Sequence, residues 1–372
     1  MASAKAAAIL ATWAATQTLL LILLPHSRHI GPQTPGGDTV SYRLNGVPTF
    51  IVTIAGFYLG AYWLDWFSPT IVYDHLGELL MTCNLAAIAG SVLLYLKGLW
   101  APSTRDSGTS GWRVWDFYWG MELHPRLLGI DLKQLVICRF AMMGWAVILL
   151  SCAAKQIRDY GELSNSMAIS VSLQLIYIFK FFWWEGGYFN TLDITHYRFG
   201  YRNFWGVLAW LPAVYPLASV FMVKHPNDLL LAAAIAIMAL GLAAIWANYD
   251  ADAQRQRVRA SAGDTTVWGR KPVIIGATYT TPDGRQQETL LLMSGWWSVA
   301  RHFHYVPELV LAVSWILPAG FEYALPWFYI PYLALLLMHR AAYDDHRCLE
   351  KYGQAWRAYC SRVPYRVVPY VY

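Results

Sequence analysis

Leu290-Leu-Leu-Met-Ser-Gly-Trp-Trp-Ser-Val-Ala-Arg-His-Phe-His-Tyr305, followed by His339-Arg-Ala-Ala-Tyr-Asp-Asp-His-Arg-Cys348 and Lys351-Tyr-Gly353, sets arginines, histidines, acids and a tryptophan pair beside segments apolar enough to lie in a bilayer. A charge in hydrocarbon is costly, so ionisable groups clustered at a membrane edge mark a site. Arg and Trp also anchor helix ends at the interface, but anchoring does not call for an Asp-Asp-His run. The stretch therefore predicts membrane helices with a polar site at one membrane face.

Working outward, the 372 residues are 57% hydrophobic, 14% charged and 16% aromatic, which excludes disorder and argues against an ordinary soluble enzyme. Apolar runs close to the length that crosses a bilayer recur at about 6–25, 48–66, 77–99, 133–153, 165–184, 203–223 and 228–247, with a tighter hairpin near 306–339. The expected fold is all-α and polytopic, with nine or ten spans. The first run is long and lacks a small-residue cleavage site, so it reads as a retained helix. Cys83, Cys138, Cys152, Cys348 and Cys360 are scattered without a CxxC pair, which predicts reduced packing thiols.

The net charge of +5 speaks to membrane orientation, not to nucleic acid. Arg255, Arg257, Arg259, Arg270 and Lys271 lie in 250–271, and Arg347, Lys351, Arg357, Arg362 and Arg366 in the tail. Both stretches are expected to face the cytosol, and alternation then puts 100–132 and 185–202 on that side with the N-terminus opposite. GPQTPGGD (31–38) and PSTRDSGTSG (102–111) read as turn-rich loops. Val273-Ile-Ile-Gly-Ala-Thr-Tyr279 followed by Pro282-Asp-Gly284 predicts a small cytosolic β-hairpin near 272–287. Arg139, Lys180, Glu185, Asp193 and His196 sit within or just beyond apolar spans, with Tyr177 and Tyr215 in apolar context. Lys180 can snorkel and Tyr can join an interfacial belt, whereas Glu185, Asp193 and His196 together read as the lining of a polar pocket.

An ordered series of words resembles the sterol reductase family, most of all its Δ7-reducing branch. These are Asp116-Phe-Tyr-Trp-Gly-Met-Glu-Leu-His-Pro-Arg126, Cys152-Ala-Ala-Lys-Gln156, Leu192-Asp-Ile-Thr-His196, Trp210-Leu-Pro212, Trp268-Gly-Arg-Lys-Pro272, Ser294-Gly-Trp-Trp297, Ala300-Arg-His-Phe303 and Asp345-His-Arg-Cys348. The match runs from about residue 112 to the end. It implies an integral membrane enzyme, of the endoplasmic reticulum in a eukaryote or the inner membrane in a bacterium, that reduces a sterol carbon–carbon double bond with NADPH. It also implies N-terminal helices over 1–100 and a catalytic membrane domain over 101–372, with a substrate half at about 112–250 and a cofactor half at about 251–372. Carried over by position, Arg255, Trp297, Arg301, Arg340, Asp344 and Tyr352 would hold the cofactor. Tyr177 is the first choice of proton donor, backed by Glu185, Asp193 and His196, and Lys180, Val207 and Tyr215 face the substrate. No metal is implied.

The resemblance has departures. Lys180, Tyr197 and Val207 stand where the family usually shows acids, Ala251 where it shows Lys, and His304-Tyr-Val-Pro-Glu308 where it shows Asn-Tyr-x-Gly-Asp. Loss of acids from the substrate half predicts a changed substrate or reaction. It keeps open a redox-neutral sterol double-bond isomerase, and a non-catalytic sterol-binding protein on the same fold. A di-iron oxygenase would need more His than His302, His304, His339 and His346. Arg301 through Tyr359 also resembles isoprenylcysteine methyltransferases, but the N-terminal helices and Trp268-Gly-Arg-Lys-Pro272 favour the sterol family.

Overall fold

The computed structural model describes residues 2–34, 36–281 and 284–372. Among them, seven helices are long and apolar enough to cross a membrane: α1 Ala4–Leu23, α2 Gly46–Trp63, α3 Leu76–Trp100, α4 Gln134–Tyr160, α5 Asn165–Trp183, α6 Tyr201–Met222 and α7 Leu231–Ala260. The predicted hairpin near 306–339 supplies a shorter apolar helix, α8 Tyr305–Ala319, and the apolar first half of α9 Tyr329–Tyr352. The tail ends in α10 Gln354–Arg362. Outer faces of these helices expose large apolar side chains, such as Leu93 at 66%, Ile235 at 61% and Leu335 at 67%. A helix apolar on its outside as well as its inside is built for lipid. The chain is a polytopic all-α membrane protein.

It divides into two compact units, Met1–Asp228 and Leu229–Tyr372. In the first, α1 starts where the Ser3 hydroxyl accepts from the Ala6 amide. It ends where the Asn45 side-chain amide donates to the carbonyls of Leu20, Leu21 and Leu24. Strands β1 Ser27–Ile30 and β2 Ser41–Leu44 pair antiparallel, as do the two-residue strands β3 Arg126–Leu127 and β4 Ile130–Asp131.

Loops gather as alternation requires. At one end, the Tyr42 ring stacks on Phe189 at 4.2 Å, and the Tyr42 hydroxyl bonds His124 Nδ1 at 3.1 Å. Arg126 donates to the Ser41 carbonyl and Arg198 to that of Gly108. The segments around 27–45, 101–133 and 184–200 thus form one cap. Gly120 and Gly200 touch within it, since a Cβ on Gly120 would stand 2.4 Å from the Gly200 amide nitrogen. The intervening loops are tied by other bonds, with Asp74 held by Arg158 and Lys155, and the Asn165 amide donating to Asp228.

In the second unit, α7 runs on to Ala260 instead of stopping near 247. The polar extension is helical because Arg255 pairs with Asp252, Arg257 with Asp250, and Gln254 with Asp250 along its surface. The predicted hairpin is present as β5 Ile274–Thr280 and β6 Gln286–Leu292, in register from Ile274 opposite Leu292 to Thr280 opposite Gln286. Pro282 and Asp283 of its predicted turn lie outside the described residues, as does Pro35 of the loop 31–38. Strand β6 continues to Leu292 because both its faces are covered. Leu291 and Met293 join a core with Trp356, Tyr359 and Val363, while Leu290 and Leu292 pack with Val258, Val267 and Trp297. All five cysteines are free thiols.

Candidate active site

In the second unit the site is built on the Ser294-Gly-Trp-Trp297 turn. Gly295 holds φ at +60°, and a Cβ there would meet Gln254 Oε1 at 2.1 Å, so a larger residue would lift the turn off α7. Docked this way, the Trp296 indole donates to Asp250 at 2.9 Å and the buried Trp297 indole donates to the Ala251 carbonyl at 2.7 Å. The Arg255 guanidinium then lies over the Trp297 ring, 4.4 Å from its centre. Arg255 and Trp297 are brought together as a flat cation-aromatic face.

Asp344 projects from α9 one turn beyond Arg340, which is half-buried. Burial pushes the Asp344 carboxyl up, but Arg347, His302 and Arg255 outweigh it and hold the group below the usual carboxylate range. Arg347 donates to it at 2.6 Å. A turn further on, Tyr352 meets Tyr279 edge-on at 5.8 Å, and Lys351 Nζ sits 3.8 Å from the Tyr279 ring centre. Burial, then the charges of Arg347 and Arg259, pull the Lys351 ammonium down. His302 is buried and stacked on Tyr305 at 5.5 Å, and burial first of all lowers its imidazole pKa, with Asp344 and Asp345 acting against it. Arg255, Arg259, Arg347 and Lys351 crowd together with Asp344 among them. Such a group favours an anion with a ring system, as a phosphate-bearing nucleotide has.

Arg301 is differently engaged. It grips Asp345, and its Nη1 donates to the carbonyls of Val363 and Pro364, both at 2.7 Å. Four of its five N–H donors are thus used within the protein.

In the first unit, Tyr177 and Tyr215 flank the fully buried Trp145 at ring distances of 6.0 and 5.3 Å. The Trp145 indole donates to Gln174 at 2.9 Å, and Gln174 donates in turn to Ser170 and Ser219. Lys180 lies one helical turn from Tyr177 and is half-buried. Glu185 is committed elsewhere, accepting from Arg139 at 2.5 Å and from the Gly46 amide at 2.9 Å. Asp193 and His196 belong to the loop cap, where the buried Lys133 ammonium donates to the carbonyls of Asp193, Ile194 and Tyr197. His196 Nδ1 bonds Thr195 Oγ1 at 2.6 Å. Val207 lines a separate apolar cavity with residues of α1, α3 and α4.

Sequence reasoning gave Arg259, Arg347 and Lys351 no individual site role, reading them through membrane orientation and, for the last two, through the charged membrane-edge stretch, and it passed over Lys133 and Gln174 altogether. The i, i+4 spacing of Arg255 with Arg259, and of Arg347 with Lys351, was the available signal, since it puts each pair on one helix face.

Seven membrane-length helices in the described residues, with a partly buried cluster of cationic and aromatic side chains in the second unit, define a polytopic membrane protein. The chain belongs to the Ergosterol biosynthesis ERG4/ERG24 family, which it matches over residues 1–372. It is 46% identical over 365 residues to a 7-dehydrocholesterol reductase of Arabidopsis thaliana, covering 98% of this chain and 84% of that protein. It is 36% identical to the 7-dehydrocholesterol reductase of Xenopus laevis, covering 96% and 78%. It is also 36% identical to a Delta(14)-sterol reductase of Methylotuvimicrobium alcaliphilum, covering 99% and 83%.

Proposed function

We propose that this protein reduces a carbon–carbon double bond, of Δ7 type, in a sterol or steroid-like substrate with NADPH. It would do so in the endoplasmic reticulum membrane of a eukaryote or the inner membrane of a bacterium. The observation that carries the reading is 46% identity along almost the whole chain to a 7-dehydrocholesterol reductase. The residues of the second unit fit NADPH, because Arg255, Arg259, Arg347 and Lys351 outnumber the carboxylates among them and Trp297 and Tyr352 offer ring faces. When bound, NADPH supplies the hydride.

Arg255 and Trp297 would hold a ring and a phosphate, with Arg340 and Tyr352 completing the grip. Arg347 and Asp344 orient one another, and Arg301 positions the chain beneath them. In the first unit Tyr177 delivers the proton to the alkene, its phenol set in place by Trp145. His196 and Asp193, in the cap, return a proton to it. Tyr215 and Lys180 contact the substrate, with Lys180 suited to a polar group on a more oxygenated steroid. Glu185 acts by positioning, through Arg139 and Gly46.

Incubating membranes holding the protein with a 5,7-diene sterol and deuteride-labelled NADPH tests this. A product carrying one deuterium supports reduction. A product of unchanged mass with a moved double bond identifies the isomerase instead, and binding without conversion identifies a non-catalytic protein.

A further inference from the structure

The short helix Arg113–Trp119 and the turn between β3 and β4 belong to the loop cap. The helix presents the reverse of a water-facing surface. Its one acid, Asp116, is buried, accepting from the Thr109 hydroxyl and from the Ser110 amide at 2.8 Å. Val114, Tyr118 and Trp115 fall on one face at about 3.6 residues per turn, and that face is exposed, Val114 at 65%. Phe117, on another face, meets Tyr95 of α3 edge-on at 6.4 Å and stacks on Tyr201 of α6 at 5.6 Å. Those contacts set the depth of the helix. α3 is 25 residues long, about 37 Å against about 30 Å of hydrocarbon. With the middle of α3 at mid-bilayer, Tyr95 lies about 4 Å inside the hydrocarbon edge.

Strands β3 and β4 are joined through Leu128 and Gly129, whose φ angles are +52° and +79°. Asn-Gly or Gly-Gly is favoured in such a turn, and a bulky residue at positive φ is strained. Leu128 is 95% exposed, with Leu127 exposed beside it, so packing within the protein does not offset that strain. The base of the turn also stands at the ends of spans. The Arg126 amide donates to the Ser103 hydroxyl at 2.8 Å, three residues past α3, and α4 begins three residues after β4.

We propose that the helix Arg113–Trp119 and the turn tip Leu127-Leu128 lie in the bilayer itself, at the boundary between headgroups and acyl chains, so that this part of the cap is a lipid-binding surface. Trp115 and Tyr118 suit that boundary because each ring is apolar with one polar edge. Leucines at a hairpin tip suit the acyl chains below it, and the strain at Leu128 is offset there instead of in the protein. Lipid is the occupant, not a second copy or a soluble partner, because the exposed face adjoins the lipid-facing end of α3, where Leu99 and Trp100 are exposed, and sits at hydrocarbon depth.

The test attaches a nitroxide to Leu128→Cys, and separately to Trp115→Cys, in the full-length protein in phosphatidylcholine nanodiscs. Glu288→Cys, on the exposed part of β6, is the water-facing reference, and the signal of the unaltered protein, treated alike, is subtracted for its own cysteines. Collision with oxygen, which gathers among acyl chains, is compared with collision with a neutral nickel chelate, which stays in water. The oxygen-to-nickel ratio is expected to be roughly threefold or more higher at 115 and 128 than at 288. A ratio equal to that at 288, at either position, places that residue in water and overturns the proposal. Weak collision with both reagents means a protein cover, by a second copy or another chain, and overturns it too. The unaltered protein gives a second measurement that needs no variant to fold. An apolar carbene probe dissolved in the bilayer should modify residues 112–119 and 127–130 as well as the spans, and modification of the spans alone overturns the proposal.

Discussion

Arg301 holds Asp345 through two parallel hydrogen bonds, Nε to Oδ1 at 3.1 Å and Nη2 to Oδ2 at 2.9 Å, while its Nη1 ties down the backbone at Val363 and Pro364. The tail is fastened at the same point, where the Arg301 and His302 amides donate to the carbonyls of Tyr365 and Arg366. Breaking one side of a buried pair costs about 3–5 kcal/mol. Arg301→Ala is expected to lower the melting temperature and to open the segment 363–372 to limited proteolysis. A variant of normal stability with only a higher NADPH requirement would instead make Arg301 a direct cofactor ligand.

Arg255 and Arg340 carry the cofactor assignment. A hydrogen bond to a charged group contributes about 1.5–3 kcal/mol, so Arg255→Ala and Arg340→Ala should each raise the apparent KM for NADPH roughly tenfold to a hundredfold. Expression and sterol binding should stay intact. Lys351→Gln is expected to narrow the preference for NADPH over NADH by removing a cation from the crowded group. Steady-state kinetics with both nucleotides measures this; equal use of the two by the unaltered protein refutes the phosphate argument.

Tyr177→Phe removes a proton and leaves the ring against Trp145. The expected loss in kcat lies within the roughly 10²–10⁴ that general acid catalysis supplies, with KM for NADPH unchanged. Gln174→Leu should lower kcat less, because Trp145 loses its anchor while the phenol remains. A fully active Phe variant would move the proton to His196.

The spans were legible because length and apolarity alone define a bilayer crossing, and the interlocking of Tyr42, His124 and Phe189 follows from counting crossings. What the sequence withheld was each polar residue's partner. Glu185 reads as a candidate acid, yet its partners are Arg139, 46 residues away, and Gly46, 139 residues away. No local pattern signals a contact of that range. The continuation of α7 past 247 was readable from Asp250, Asp252, Arg255 and Arg257 at helical spacing, but hydropathy hides it, since the same charges that end a membrane span also pair along a helix.

His124 makes the loop cap sensitive to acid. Burial, then the charges of Lys133 and Arg126, lower its pKa to about 3. An unfolded histidine titrates near 6.5, so between that value and about 3 the unfolded chain binds the extra proton, and stability falls as pH falls. At pH 5 the loss is about 2 kcal/mol. Asp131, 3.9 Å from the ring, has its carboxyl pushed up by burial, so it takes up a proton on folding and acts in the opposite sense as the pH falls towards the unfolded carboxylate range. Thermal melts in detergent should therefore drop from pH 7 to pH 5, and His124→Gln should flatten that slope. An unchanged slope would place the acid sensitivity elsewhere.

Arg139 and Glu185 make the sharpest separation between holding the fold and moving a proton. Both are buried, at 0% and 3% exposure. Arg139 also donates to Asn45 at 2.8 Å, the residue that caps α1, and Gly46 starts α2 beside them. Removing one member leaves an uncompensated charge at a cost of about 3–5 kcal/mol, whereas replacing both with apolar residues of similar volume is often neutral. Glu185→Leu and Arg139→Met are each expected to reduce the yield of folded protein strongly. The double variant should recover most of the melting temperature, losing only the Asn45 and Gly46 bonds. Its turnover should return to within a few-fold of the unaltered protein, because the proton route proposed for Tyr177 runs through Asp193 and His196. If the double variant folds but stays inactive with NADPH and sterol bound, Glu185 is part of the proton route and the positioning role is wrong.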